Sequence, residues 1–588
     1  MTKKTKIISS FLVLGILFLG FFLRIVGHNW DQNHHLHPDE RMITMVVNRL
    51  EWPTSISRFF TLQSSMNPKF FAYGSFPLYL LKVVGDIASL FDPKLSTYDH
   101  INLLGRAISA LFDIGTIFLI KKLGEKVFNC KTGIIAALFY AFSVLPLQLS
   151  HFYTVDVILT FFILATLYRL IILYEKPNLK NAILSGLCFG LSLATKVSAT
   201  ALLSAIIPTL LVNLILITTK KIRGIHAKNI KSEIVSLFQK RKLVWKILKP
   251  TIPFVLIITV AAVVTFLLCE PYALIDFSTF WQQTREQHMM TKNAFVFPYT
   301  LQYVNTTPYL YHLKNYFLWG VGPALGIISL AALIYLAIHL IREFPKPGNE
   351  NQEAKIMILF IFTVAYFAVI GQFAVKFMRY LLPLYPLFCL FTAYFLKTIQ
   401  SKNRFLGKIL FFLTFFPTLF WSVSFLSIYN QPHTRISASK WIDQNIPSDS
   451  VLAIEHWDDP IPLSGQKKYQ FETLELYNLD TAQKWQKINR QLKKSNYIII
   501  ASNRLYVPIA RLTNCSELPP GKCYPQTASY YQKLFTNQLG FSKVVEFTSY
   551  PKFKIGPFSW TINDSSADES FTVYDHPKII IFQKTKAL

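Results

Sequence analysis

Apolar runs of about twenty residues recur along the first three quarters of the chain and then stop. They fall at Ile7–Val26, Leu103–Gly124, Thr132–Leu149, Val157–Tyr174, Ala182–Ala194, Ser198–Thr218, Ile252–Cys269, Tyr316–Ile341, Ile356–Val375, Tyr380–Leu396 and Phe405–Ile428. Most are long enough to cross a hydrocarbon layer of about 30 Å as helices, and Ala182–Ala194 is the short one. About eleven transmembrane helices are expected. The loop at 28–100 is far longer than an ordinary connection. In it, HPDERMITMVVNRLEWP (His37 to Pro53) sets Met42, Val46, Val47 and Leu50 at helical spacing behind Asp39 and Glu40. That pattern predicts a helix lying on the membrane surface with both acids at its N-terminal end. Phe76–Phe91 is interrupted by Pro77, Lys82 and Asp86, and is expected to be re-entrant or interfacial. Beyond Asn430, SASKWIDQNIP and TAQKWQKINRQLKK read as helices, and VLAIEHW, NYIIIAS and KIIIFQK as strands. The expected fold is a mainly α polytopic membrane protein over residues 1–429, followed by an α/β domain at 430–588.

Composition adds direction. The 588 residues are 52% hydrophobic, little more than the ~45–50% of soluble domains, so the clustering of the apolar residues decides the class. The formal charge of +28 would suit nucleic acid, but no zinc-finger or RNA-binding signature accompanies it. The basic residues crowd short loops between spans, as the positive-inside rule requires, and an anionic lipid or leaflet would account for more of them. The N-terminus carries Lys3, Lys4 and Lys6 before a long apolar run without a small-residue cleavage site, which predicts an uncleaved first span with those lysines in the cytoplasm. Eleven crossings then put the α/β domain outside the cytoplasm. The basic stretch Lys220–Lys249 falls inside, as do Arg342, Lys346, Lys397, Lys402 and Arg404; a span at Phe76–Phe91 would invert that order. The expected location is the cell membrane, multi-pass. Cys130, Cys188, Cys269 and Cys389 lie in or beside apolar segments, whereas Cys515 and Cys523 are close together in the C-terminal domain. A disulfide suits an extracytoplasmic site there, and two thiols are the alternative.

With this topology, polar groups from distant segments share the outer face. Asp39 and Glu40 follow the first span; His151, Tyr153 and Asp156 (HFYTVDV) join the third to the fourth. Lys196 (LATKVSA) stands at the fifth-to-sixth junction, and Glu270 and Tyr272 (CEPYALIDF) close the seventh. Lys376, Arg379 and Tyr380 (VKFMRYLLPLYP) join the ninth to the tenth. Ionisable groups at membrane depth are functional by default, yet each has a plainer reading. Asp39 and Glu40 could cap a helix, Lys196 could snorkel to the interface, and Glu270 before proline could end a helix. The planar fork of Arg379 suits two phosphate oxygens. Arg106 and Asp113 are seven apart, on one helical face, a spacing suited to a structural pair. His34, His35 and His37 lack regular metal-ligand spacing, so a divalent metal stays open, with His37 the candidate ligand.

Taken in order, the acidic pair, HFYTVDV, LATKVSA, CEPYALIDF and MRYLLPLYP resemble the multispan glycosyltransferases of the GT-C superfamily. The likeness is nearest to the bacterial branch related to protein O-mannosyltransferases and lipid A aminoarabinose transferases, and covers Met1 to Tyr429. ESFTVYDHPKIIIFQK resembles the tail of bacterial proteins in that group. The resemblance implies transfer of a hexose or pentose from a polyprenyl-phosphate donor to a glycan, lipid or protein acceptor at the outer membrane face, with inversion. It maps the first-loop acid onto Asp39, with Glu40 its neighbour, and the second-loop acid onto Asp156. Asp39 is then the expected general base, with Glu40 and Asp156 as its catalytic companions. His151, Tyr153, Lys196, Glu270, Tyr272, Arg379 and Tyr380 are the expected binders of lipid phosphate or sugar. His37-Pro38 and the C-terminal domain depart from the best-known members. The alternative class is a lipid or glycan transporter or flippase, for which repeated halves with broken helices near the midplane would be expected; no repeat is visible.

Overall fold

A computed structural model describes residues 3–211, 249–343, 350–463 and 467–585. Most of the basic stretch from Lys220 to Lys249, the end of the predicted span at Ser198–Thr218, and Lys346 lie outside them. Among the described residues, eight helices are long and apolar enough to cross a membrane, the first at Ile7–Ile25 and the last beginning at Arg404. Three shorter apolar helices, Cys130–Ala141, Leu179–Thr195 and Val197–Leu211, stand where three more of the expected spans fall. The chain is a mostly helical, multi-pass membrane protein with a C-terminal α/β domain.

Departures from the expected spans have local causes. The run Thr132–Leu149 splits into Cys130–Ala141 and Val144–Leu149, because Pro146 lacks an N–H and its ring opposes the carbonyl four residues back, at Phe142. The run Tyr316–Ile341 becomes a helix only from Pro323, after a π-type turn at Tyr316–Gly320. Leu179–Thr195 crosses Ile252–Cys269 at Gly186 and Gly190, where a Cβ would stand 2.6 and 2.5 Å from the carbonyl oxygens of Ile258 and Ala262. Such small-residue crossings let membrane helices pack backbone to backbone.

The long loop after the first span forms the expected helix at Pro38–Asn48, and the segment expected to be re-entrant or interfacial forms the helix Ser75–Ser89. Ile43, Val46, Val47 and Leu50 are buried, while Met42 faces outward. Beyond Asn430, a five-stranded sheet has the order β2 (Gln470–Leu474), β1 (Val451–Glu455), β3 (Tyr497–Ile500), β7 (Ile579–Lys584), β4 (Phe541–Phe547). β1 runs parallel to β2 and β3, and β7 runs antiparallel to β3 and β4. Ile498 and Ile500 pack with Ile488, Leu492 and Leu534 on one face, and Ile499 with Ala438 and Ile442 on the other. Cover on both faces is why NYIIIAS and KIIIFQK are continuous apolar runs without alternation. Cys515 and Cys523 are joined as a disulfide. A separate hairpin, β5 (Lys552–Ile555) and β6 (Phe558–Thr561), leaves the sheet and lies against the helix Arg404–Leu426.

Candidate functional site

Helix Pro38–Asn48 begins with a proline in its first turn, where a missing N–H costs nothing. The His37 side chain caps it, Nδ1 accepting the Glu40 N–H at 3.4 Å. Asp39 and Glu40 therefore sit in the first turn, and successive side chains diverge by about 100°. That rotation sends the two neighbours to different surroundings.

Asp39 pairs with Arg379, which enters on the turn Met378–Leu384. Arg379 Nε lies 3.7 Å from Asp156 Oδ2, and Lys196 Nζ donates to Asp156 Oδ1 at 3.0 Å. Lys196 also stands 5.0 Å above the Tyr380 ring and 6.0 Å above that of Tyr73, whose hydroxyl favours the ionised form of Asp39. Tyr73 reaches this position because Gly74 follows it. The Gly74 N–H donates to the Thr195 carbonyl at 3.0 Å, and a Cβ there would stand 1.9 Å from the Ala194 carbonyl oxygen. Two acids and two cations from four distant segments thus meet in one cluster. Asp39, Arg379 and Lys196 retain 24%, 12% and 19% of their side-chain accessible surface, whereas Asp156 behind them is buried, at 5%. Burial pushes the Asp39 carboxyl up, but Arg379, His37 and the Tyr73 hydroxyl outweigh it and hold the acid below its ordinary range. Asp39 is an ionised base at neutral pH. Burial draws His37 down to about 4, so its ring is neutral.

Glu40, expected beside Asp39 in the chemistry, turns away. It accepts from Arg106 Nη2 at 2.6 Å and from the Tyr153 N–H at 2.7 Å, while Asp31 takes the other side of the same guanidinium at 2.8 Å. Glu40, Arg106 and Asp31 have no exposed side-chain surface. Burial raises the Glu40 pKa, whereas Arg106 overcomes burial at Asp31 and lowers it. This triad ties the first loop to the helix Tyr98–Val127. The suggested pairing of Arg106 with Asp113 is replaced by two separate ones, since Asp113 binds Arg24 Nε and the Tyr140 hydroxyl, each at 2.6 Å.

Other expected binders also stand apart from the cluster. His151 bridges the carbonyls of Leu147 and Val26 and stacks on Tyr429. The Tyr153 hydroxyl donates to the Pro77 carbonyl at 2.7 Å. Glu270 lies buried near Ser75 at the start of the helix Ser75–Ser89, where burial raises its pKa strongly. The Tyr272 hydroxyl is held by the Phe59 carbonyl and Ser64. Among the described residues, no three His, Cys, Asp or Glu side chains are grouped to hold a metal ion.

One contributor, the segment around ESFTVYDHPKIIIFQK, was read in the sequence only as a family-like tail and given no part in the site. The segment Asp564–His576 of the C-terminal domain folds back against the helical bundle. Asp575 accepts from Gln148 at 2.9 Å and from Tyr429 at 2.8 Å. His576 is clamped between Asp575 at 2.5 Å and Asp564 at 2.9 Å. Tyr574 thereby lies on the His37 ring, 4.1 Å between centroids, with Phe152 of HFYTVDV on His37 as well, at 4.5 Å. Farther along this segment, Glu569 accepts from Arg504 and Gln302, both at 2.7 Å. A cavity of about 370 Å³ opens there between the domain and the segment 302–315, lined in part by Gln302, Tyr311, Lys314, Arg504, Arg511 and Glu569.

Residues 102–236 match the family model described as dolichyl-phosphate-mannose-protein mannosyltransferase, which bears out the resemblance read in the sequence. The segment includes Asp156 and Lys196. No curated protein matches the chain in sequence. Among solved structures, an archaeal oligosaccharyltransferase from Archaeoglobus fulgidus, in complex with an inhibitory peptide and a dolichol-phosphate, is 13% identical. That match covers 97% of this chain and 78% of that one, at a TM-score of 0.49. ArnT from Cupriavidus metallidurans bound to undecaprenyl phosphate is 12% identical, with 87% and 95% covered and a TM-score of 0.44. At these values the structural likenesses assign no residue a role.

Proposed function

We propose that the chain is a glycosyltransferase that moves a sugar from a polyprenyl-phosphate donor to an acceptor hydroxyl at the outer face of the cytoplasmic membrane. The observation that carries this reading is Arg379 standing between Asp39 and Asp156, with Lys196 completing the square. An acid–cation set that keeps solvent access, where Arg24–Asp113 and Arg106 with Asp31 and Glu40 are enclosed, is suited to a charged ligand. Placement at the outer face rests on the basic residues of the opposite bundle end, among them Lys121, Lys397, Lys402 and Arg404.

In the reaction, the acceptor oxygen forms the new bond to the anomeric carbon and gives up its proton to Asp39. The bond from that carbon to the phosphate oxygen breaks, and the phosphate leaves with the electron pair. Arg379 and Lys196 neutralise the charge that grows on it. While Arg379 is paired with Asp39, the carboxylate is a weak base. A donor phosphate that draws the guanidinium toward itself removes the group that lowers the Asp39 pKa, so donor binding strengthens the base where it is needed. Asp156 holds Lys196 and the far side of Arg379 in place and orients the sugar.

The test compares envelope glycans, glycolipids and glycoproteins by mass analysis in cells that lack the protein, carry it, or carry Asp39→Asn at equal membrane levels. A sugar present only with the intact chain is the expected outcome. Glycan profiles unchanged by removal of the protein would refute the reading. A lipid-linked sugar that piles up inside vesicles without any missing transfer product would favour the flippase instead.

A further inference from the structure

The hairpin β5–β6 has two unlike faces. Its register pairs Phe553 with Trp560 and Ile555 with Phe558, and Lys552 with Thr561 and Lys554 with Ser559. Because side chains alternate along a strand, Phe553, Ile555, Phe558 and Trp560 share one face, and two lysines, a serine and a threonine share the other. The apolar face is largely bare: Ile555, Phe558 and Trp560 are 62%, 79% and 69% exposed. A lone two-stranded hairpin is marginal in water and needs a surface to lie on.

Its partners show the direction in which it points. The Lys552 N–H donates to Ser427 Oγ at 2.8 Å, just past the outer end of the helix Arg404–Leu426. One residue along, Phe553 meets the Phe420 ring at 4.8 Å, with Trp560 6.3 Å from the same ring. Phe420 lies seven residues back from Ser427, or about 10 Å along the helix toward the bilayer centre. The hairpin therefore runs down the flank of the last span, with its tip at Gly556 leading. Phe412, Leu413 and Phe416 continue the exposed apolar surface of that span.

We infer that this hairpin is a membrane anchor of the α/β domain, its apolar face inserted at the headgroup–acyl boundary beside the last span and Lys552 and Lys554 on its headgroup side. Three observations favour lipid over a protein partner: continuity with the span's outward surface, the depth reached along the helix, and the Trp, Phe and Lys composition of membrane interfaces. The inference does not depend on the transferase reading.

The test uses the full chain in phosphatidylglycerol–phosphatidylcholine vesicles, with an environment-sensitive fluorophore attached to Ile555→Cys or, independently, Phe558→Cys. Lys554→Cys reports the polar face, and the parent chain treated identically supplies the background. The expected result is blue-shifted emission at 555 and 558, quenched by brominated lipid and shielded from aqueous iodide, with weaker shielding at 554. Iodide quenching at 555 and 558 as strong as at 554 would overturn the anchor. Shielding without quenching by brominated lipid, lost when the protein is diluted among vesicles, would overturn it in favour of a second copy of the chain.

Discussion

Asp39 and Glu40 are adjacent in sequence, and the structure predicts opposite consequences for changing them. Asp39→Asn removes a base whose pair with Arg379 keeps 24% and 12% of its side-chain surface, so its loss costs less than the ~3–5 kcal/mol of a sealed pair. Arg379 keeps Asp156 at 3.7 Å, so no buried cation is stranded. The variant should insert, resist protease and melt like the parent, while transfer falls by about 10²–10⁴, the usual contribution of a general base. Glu40→Gln leaves a wholly buried Arg106 with Asp31 alone and weakens bonds of 2.6 and 2.7 Å to Arg106 and the Tyr153 N–H. Breaking such a buried pair costs about 3–5 kcal/mol. Glu40→Gln should therefore reduce the amount of folded protein and its thermal resistance in detergent, with near-normal turnover per folded molecule. Both variants are compared by size-exclusion yield, melting and transfer from radiolabelled polyprenyl-phosphate sugar. Transfer within twofold of the parent in Asp39→Asn would remove the proposed base. A Glu40→Gln protein that melts normally yet is as inactive as Asp39→Asn would show that the division between the two acids is wrong.

Arg379→Lys keeps the charge but loses the fork that faces both acids, and transfer should fall by about 10²–10³ as a phosphate-stabilising donor is lost; unchanged kinetics would remove Arg379 from the site. Tyr574→Phe keeps the ring on His37 and should retain transfer, whereas Tyr574→Ala should lose much of it without exposing the domain to protease; equal activity of the two would show that the contact is idle. His576, despite the opposing effect of burial, is raised to about 10 by Asp575 and Asp564. A histidine whose pKa rises on folding stabilises most below its unfolded value of about 6.5 and loses that stabilisation as pH climbs through its folded value. The melting-temperature advantage of the parent over His576→Gln should thus be full below about pH 6.5, shrink steadily as pH rises past it and vanish above about pH 10, and a constant difference from pH 6.5 to 10 would refute the assignment.

The sequence showed most spans clearly because they are long apolar runs; ends shifted by several residues, as at Tyr98–Val127 and Glu350–Ile370, and Pro146 split one run in two. The α/β layer was legible for the same reason: NYIIIAS and KIIIFQK are too apolar for a surface strand. Asp39, Asp156, Lys196 and Arg379 could be picked out as charges placed on one face by counting crossings. Glu40 could not be separated from Asp39, because that depends on which way a helical turn rotates two neighbours. Tyr73 carried no usable pattern, and Tyr574 lay in a stretch, ESFTVYDHPKIIIFQK, read only as a family-like tail. One is delivered by the close approach of Gly74 to Ala194, the other by a strap held through Asp575 and His576, and both contacts join segments far apart in the chain.

What separates the charged groups near membrane depth is solvent access rather than pairing. Arg24–Asp113 and Arg106 with Asp31 and Glu40 are fully enclosed, and enclosed pairs are poor sources of net stability but costly to break. They hold the first loop and first span in register. The Asp39–Arg379 and Asp156–Lys196 pairs have equally short reach but keep an open side. A ligand phosphate can therefore exchange partners with them without first paying to hydrate a sealed ion. Enclosure also explains why the enclosed set surrounds the open one: Glu40 locks the turn that presents Asp39, and the Tyr153 N–H that Glu40 binds lies three residues before Asp156. The buried triad positions both acids of the open cluster from behind, so charge reversal at Arg106 should disturb Asp39 and Asp156 together.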